Sequence, residues 1–283
     1  MIFDLVVILS LGLFGVIAGF FGGMLGVGGG VIIIPLLILL FNLDARQAVG
    51  TSLVMIVFTA LSATFAYDRQ KRIDWKIGLT GASVTVPAAA IGAYATKLVS
   101  SKSLTVILGA TLFLIAVAML GRSFRMFPSR KSDATNGIEA DSKPTRKVWN
   151  RKIVDAAGRV FEYDARISSG LTLLFFAGLA SGFLGIGGGL IVVPVLAVVM
   201  GLPMHIAVAT SMLTMILTSI SGISAHVMLG NVLIDYAIPI VMGIVLGAQL
   251  GARAAKRLRS TSLERAFALA ILAIGMLLII SRL

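Results

Sequence analysis

Cysteine is absent from the 283 residues, which excludes disulfides, thiolate metal sites and thiol redox chemistry together. Charge is scarce: Asp, Glu, Lys and Arg make up 13% of the chain, against 58% hydrophobic residues and a mean hydropathy of +1.03. A soluble protein of this length could not cover so much apolar surface with so few charges. The ~10-residue alternating segments of a membrane β-barrel are missing as well. So are the Gly-Lys-Ser/Thr ending of a nucleotide-binding loop and a dinucleotide fingerprint in a strand–turn–helix setting. The apolar runs hold no nucleophile–base pair and no cluster of metal ligands, so the sequence reads as a non-enzyme that needs no cofactor.

What the chain does have is apolar runs near 20 residues, the length a helix needs to cross ~30 Å of hydrocarbon. This predicts an all-α polytopic membrane protein whose surroundings are the lipid bilayer. The formal net charge of +12 would suggest nucleic acid in a soluble domain. Here the 24 Lys and Arg lie almost entirely between the apolar runs, so membrane orientation is their better explanation and no nucleic-acid partner is expected. The start, Met1-Ile2-Phe3-Asp4, has no basic region and no cleavage site follows, so the first run reads as a retained span.

Glycine is the organising residue. The stretch Gly19-Phe20-Phe21-Gly22-Gly23-Met24-Leu25-Gly26-Val27-Gly28-Gly29-Gly30-Val31-Ile32-Ile33-Ile34-Pro35 recurs, 159 residues on, from Gly178 to Pro194. Nine of the 17 positions are identical, and six of those nine are glycine. The correspondence continues: Ala48, Val49, Thr51 and Ser52 match Ala207, Val208, Thr210 and Ser211, and Gly92-Ala93 matches Gly251-Ala252. The chain is a duplicated unit of about five membrane segments.

In order, the first copy gives segments at about 5–25, 31–41, 47–67, 75–96 and 103–121. The second gives 168–186, 190–201, 206–228, 235–256 and 263–281. The second segment of each copy is too short to span and reads as a half-helix broken at glycine, with Pro35 and Pro194 as further helix breakers. This divides the chain into a first membrane repeat, 1–121, a basic linker, 122–167, and a second repeat, 168–283. The linker carries 11 Lys and Arg against 6 acids. Its first half reads as mobile. Its second half predicts a small hairpin over 154–163 around Ala156-Ala157-Gly158. Asp74-Trp75 and Asp235-Tyr236 read as helix starts with interfacial aromatics, and His226 as an interfacial residue at a helix end.

Loop charge sets the relative orientation of the copies. The loop after the third segment holds Arg69, Lys71 and Arg72 in the first copy, and no Lys or Arg between His226 and Ile234 in the second. The loop after the fourth segment has the reverse bias: Lys97 and Lys102 against Arg253, Lys256, Arg257, Arg259 and Arg265. Equivalent loops then face opposite sides of the membrane, which predicts inverted-topology repeats, a cytoplasmic linker and both termini outside. In such folds a substrate site forms where broken helices meet near the middle of the bilayer. Gly19, Gly23, Gly178 and Gly182 have the spacing of close helix packing. The triplets Gly28, Gly29, Gly30 and Gly187, Gly188, Gly189 instead suit a substrate-binding role. Their backbone N–H groups open a half-helix, and no Cβ keeps a ligand away. Thr51, Ser52, Thr210, Ser211 and Gln249 are candidate polar contributors to the same site. No metal ligands are expected.

These residues resemble the TauE/SafE family of sulfite and organosulfonate exporters. The resemblance rests on Gly22 to Gly30 with Pro35, on Gly182 to Gly189 with Pro194, and on the Ala-x-x-Thr-Ser pattern at 48–52 and 207–211. It covers both repeats, with Ser181 standing where the first copy has Gly22. It implies an anion permease of the cell membrane that exports sulfite, an organosulfonate or a related small anion. The alternative reading is a non-transporting membrane sensor or partner subunit acting through the basic linker.

Overall fold

The computed structural model describes residues 5–124, 148–255 and 261–281. Among these, the first copy folds as α1 (Leu5–Leu25), α2 (Gly30–Leu39), α3 (Ala45–Arg69), α4 (Trp75–Ala95) and α5 (Ser101–Phe124). A hairpin of β1 (Val148–Val154) and β2 (Val160–Arg166) follows. The second copy gives α6 (Ile167–Leu184), α7 (Gly189–Pro194, continuing as a wide π turn over Val195–Val199), α8 (Met204–Met228), α9 (Ile234–Ala254) and α10 (Thr261–Ile280). The elements fall where the apolar runs predict them. Among the described residues seven of the helices are long and apolar enough to cross a membrane, while α2, α7 with its wide turn, and the Ala268–Ile280 part of α10 are shorter apolar helices. Their outward faces carry large bare apolar side chains such as Leu9, Leu13, Leu114, Met242 and Leu246, which suits a lipid surround. The expected mobility of the first half of the linker, and the outward placement of the two ends, concern residues outside those described.

Glycine sets how closely the helices pack. Gly15, Gly19 and Gly23 of α1 lie against the backbone of Ile240, Ile244 and Ala248 of α9, leaving no room for a Cβ. Gly243, Gly247 and Gly251 of α9 return the contact to Gly12, Val16 and Phe20. The register rises together on both helices, so α1 and α9 run parallel. The same arrangement joins α6 to α4, where Gly178 and Gly182 meet Thr85 and Ala89, and Gly92 meets Leu179. Backbones this close gain dispersion contacts over their whole length, which is what holds helices together where lipid offers no hydrophobic drive. Equivalent helices, by contrast, run against each other. Gly109 of α5 meets Leu278 and Gly275 of α10, while Gly275 meets Leu112 and Phe113. On α3 and α8, Ile56 meets the same glycine as Met215, whereas Leu53 meets Gly222.

The hydrogen bonds repeat with the sequence offset. Ser62 Oγ donates to Val245 O (2.8 Å) and Ser221 Oγ to Val86 O (2.7 Å). The Leu233 N–H donates to Thr51 Oγ1 (2.9 Å) and the Asp74 N–H to Thr210 Oγ1 (3.0 Å). Tyr67 Oη donates to Gly23 O (2.8 Å), and His226 Nε2 lies 3.0 Å from Gly182 O. A carbonyl only accepts, so Nε2 carries the hydrogen and Nδ1 accepts from Asn231 Nδ2. His226 is fully buried within the protein and bonded at both nitrogens. The start of α9 differs from expectation: its cap is Leu233, and Asp235 sits inside the first turn.

The hairpin is longer than 154–163 and is firmly seated. Its turn is closed by Asp155, which accepts from the Ala157 and Arg159 N–H groups, and the Ala156 N–H donates to Gln70 O at 3.0 Å. Arg72, 2% exposed, reaches Asp155 at 3.4 Å. Arg151 holds Asp74 with two bonds of 2.8 and 2.9 Å, and Tyr163 Oη adds a third at 2.8 Å. Asp74 is thus both the cap of α4, accepting from the Ile77 N–H, and the anchor of the strap. Burial opposes its ionisation, but Arg151, the Ile77 N–H and Tyr163 outweigh that and hold it below the usual carboxylate range. Burial also opposes the charge on Asp155, yet the Arg159 and Ala157 N–H groups and the Arg159 guanidinium bring its pKa from 3.8 down to about 2.

Two outcomes are expected. Gly19→Val drives a side chain into the α9 backbone and should destabilise the protein by several kcal/mol, while Gly121→Val, with nothing within 4 Å, should not. Thermal unfolding in detergent compares them. Because Asp155 and Asp74 have folded pKa values below their unfolded ones, their contribution is complete above pH ~5 and is lost as pH falls, for Asp155 through about 2. In a Trp75→Phe background, Trp149 emission should shift to the red over that interval as the strap releases. A spectrum constant from pH 5 to 2 would contradict the sign of this linkage.

Candidate functional site

The connection from α1 to α2 is made by backbone that only glycine adopts readily. Gly26, Gly28 and Gly29 have φ of 79°, 83° and 78°, and their counterparts Gly185, Gly187 and Gly188 have 68°, 70° and 72°. At the end of α1 the N–H groups of Gly26, Val27 and Gly28 converge on Gly22 O. The chain then turns into α2, whose Ile32 and Ile33 N–H groups bond to Gly29 O. Pro35 lies inside α2, which runs on to Leu39, so it does not break the helix. Pro194 ends the α-helical part of α7, and the wide turn follows it. The breaks themselves fall at the glycines, where the backbone reverses.

The two loops cross. Gly30 lies against Gly185 O and Ile186, and Gly189 against Gly26 O and Val27. Each loop is held by a serine of the other repeat: Ser52 Oγ shares its hydrogen between Val49 O (2.7 Å) and Gly185 O (2.8 Å), and Ser211 Oγ between Val208 O (2.8 Å) and Gly26 O (3.3 Å). The structure thus brings Gly28, Gly29, Gly30, Gly187, Gly188, Gly189, Ser52 and Ser211 together, all of them buried. Among the described hydrogen bonds, the N–H groups of Gly29, Gly30, Gly187, Gly188 and Gly189 have no acceptor. A buried, unpaired donor costs about 1–3 kcal/mol, so five in one place are an unusual concentration of unmet hydrogen-bonding capacity. The atoms nearest the six triplet glycines belong to apolar, glycine or serine residues and none is charged.

The remaining candidates have protein partners. Thr51 and Thr210 each accept a backbone N–H at the start of α9 and α4, and keep their own hydroxyl hydrogens uncommitted among the described bonds. Gln249 is half-buried on α9, where its Oε1 accepts from Arg253 at 3.4 Å, and no described bond joins it to the loops. Two residues that sequence reasoning passed over sit on the loops instead. Ile56 and Met215, equivalent positions on α3 and α8, both close over Gly28 and Gly187. Their types differ, so matching identities between the copies could not single them out.

Crossed, broken helices with bare backbone donors, inside a bundle of membrane-length helices, define a multi-pass membrane transporter. The comparisons with known proteins place it more narrowly. Residues 11–278 match the model of the sulfite exporter TauE/SafE family, and the chain belongs to that family. It is 34% identical to the probable membrane transporter protein YunE of Bacillus subtilis over 234 residues, covering 79% of this chain and 80% of that one. The probable membrane transporter protein YdhB of the same organism is 27% identical, covering 83% and 82%. No solved structure matches.

Ser52→Ala and Ser211→Ala each remove a buried bond between the repeats and leave a carbonyl without its donor. Each should lower stability by about 1–3 kcal/mol in denaturant titration. The double variant should lose more than either single one.

Proposed function

We propose that this transporter exports sulfite, an organosulfonate or a related small sulfur oxyanion across the cell membrane by alternating access of two inverted repeats. The observation that carries the reading is the crossing of the two loops, which gathers unpaired backbone donors from both repeats at one buried place with no charged neighbour. An anion accepts those donors and supplies the charge that the protein leaves out. Gly28, Gly29, Gly30, Gly187, Gly188 and Gly189 contact it, Thr51 and Thr210 are within the same framework as further donors, and Ser52 and Ser211 hold the loops in place. Gln249 joins the site only if α9 moves.

Two features support inversion. The equivalent pairs α3/α8 and α5/α10 run against each other, so an axis relating the repeats lies across the helices and not along them. The loop charges are biased in opposite senses in the two copies. On this reading, residues 122–167 are cytoplasmic and both ends lie outside. The three units are two membrane repeats and a linker that closes one end of the bundle. Ile56 and Met215 cover the loops in the state seen, and they move aside for the anion to enter; Met215 has the flexible side chain for it.

The test is flux. The purified chain in liposomes should carry sulfite, methanesulfonate or ethanesulfonate down a gradient. Movement of none of the three would end the substrate reading. Gly188→Ala has 3.3 Å to its nearest neighbours, so it should insert and fold with a strain of about 1–2 kcal/mol. It should still lose flux at least tenfold, because its methyl occupies the anion's approach.

A further inference from the structure

Most hydroxyls in the membrane helices are spoken for. On α8, Ser211, Thr214, Thr218, Ser221 and Ser224 all donate to backbone carbonyls. Ser219 does not: its Oγ is fully buried and has no partner, although the carbonyl one turn back is the usual recipient. Ser181 on α6 is in the same condition, fully buried with Oγ unpaired. Among the described residues the other buried side-chain polar atoms without partners belong to Thr64, Arg46, Gln70 and Arg72, and the last three are bonded through another atom.

Both serines lie on elements that meet at the second glycine loop. Ser181 lies beside Gly188, its Cβ and Oγ 3.3 and 3.6 Å from where a methyl on that glycine would stand. Ser219 is one turn from Met215, which covers Gly187 and Gly189, and about one turn from Gly222, which touches Gly182 and Leu53. It therefore occupies the face of α8 turned to the end of α6 and its glycine loop. In the first repeat the equivalent positions are Gly22 and Ala60, which have no hydroxyl. The polarity of the site is one-sided.

Resting on the transport reading above, we propose that Ser181 and Ser219 are the side-chain donors to the transported anion, and that they orient a singly charged oxyanion with its oxygens towards the second repeat. Two hydroxyls and bare N–H groups make a neutral, donor-rich pocket. The solvation lost on entering such a pocket grows with the square of the charge, and no cation sits among its nearest neighbours to offset a second one. The equivalent positions Gly22 and Ala60 offer the anion no hydroxyl from the first repeat. A sulfonate meets these requirements and sulfate does not.

Stability and binding separate this role from a structural one. An unpaired buried hydroxyl burdens the empty protein, so Ser181→Ala and Ser219→Ala should match or exceed the wild-type Tm. They should also need at least tenfold more methanesulfonate for the same thermal shift. Ser62→Ala, which removes a bonded hydroxyl, should lower Tm and leave that titration unchanged. Sulfate should give no shift in any of them. Serine variants that titrate methanesulfonate like the wild type, or lose Tm as Ser62→Ala does, would overturn the assignment while wild-type flux leaves the transport reading standing. A sulfate shift equal to that of methanesulfonate would overturn the single-charge assignment. A wild-type protein that moves no sulfite and responds to neither probe removes both.

Discussion

The rest of the structure depends on one constraint: backbone that leaves the helical path inside a membrane protein must be sheltered by protein. Here the shelter is mutual. The loop that ends α1 is pinned by Ser211 from the second repeat, and the loop that ends α6 by Ser52 from the first. Neither break is tenable without the other copy, because each carbonyl finds its donor only across the interface. Left-handed glycines make the reversal possible, and the absence of Cβ atoms at Gly30 and Gly189 lets the two loops cross. Among the described hydrogen bonds, the N–H groups of Gly29, Gly30, Gly187, Gly188 and Gly189 stay unpaired.

Close packing supplies the rigid frame around it. The α1/α9 and α4/α6 pairs are built from interleaved glycines that bring backbones into direct contact. The long helices α3 and α8 pass between them and carry Ile56, Met215, Ser219 and the hydroxyls that hold the loops. This frame is nearly symmetric, and the asymmetries stand out against it. One end of the bundle is closed by the hairpin, where Arg151 and Tyr163 seize Asp74. At the opposite end, Leu233 takes the place of Asp74 and offers no side chain to hold.

Much of the fold was legible in residue order. The helix positions followed from apolar runs, because the bilayer sets a minimum length. The hairpin followed from Ala156-Ala157-Gly158, although its strands extend back to Val148 because Arg151 and Trp149 are held from outside it, by Asp74 and Lys76. The candidate glycines do meet. The residues that escaped notice were those whose role comes from position alone. Tyr67 and His226 do equivalent work with unlike side chains, as do Ile56 and Met215, and comparison of the copies by identity passes over such pairs. The burial of His226, at the end of α8, comes only from packing, which also brings Gly182 O of α6 to its Nε2.

The sequence by itself determined that this is a duplicated membrane protein, where its helices break, and that glycine is what breaks them. These are local properties: hydropathy over a span length, and the steric freedom of a residue without Cβ. Tertiary structure alone decided which hydroxyls are consumed as struts and which, like Ser181 and Ser219, are left with a hydrogen to give. A serine reads the same in either role. The difference lies in whether a carbonyl from another element arrives within bonding distance, and only the folded packing of distant segments settles that.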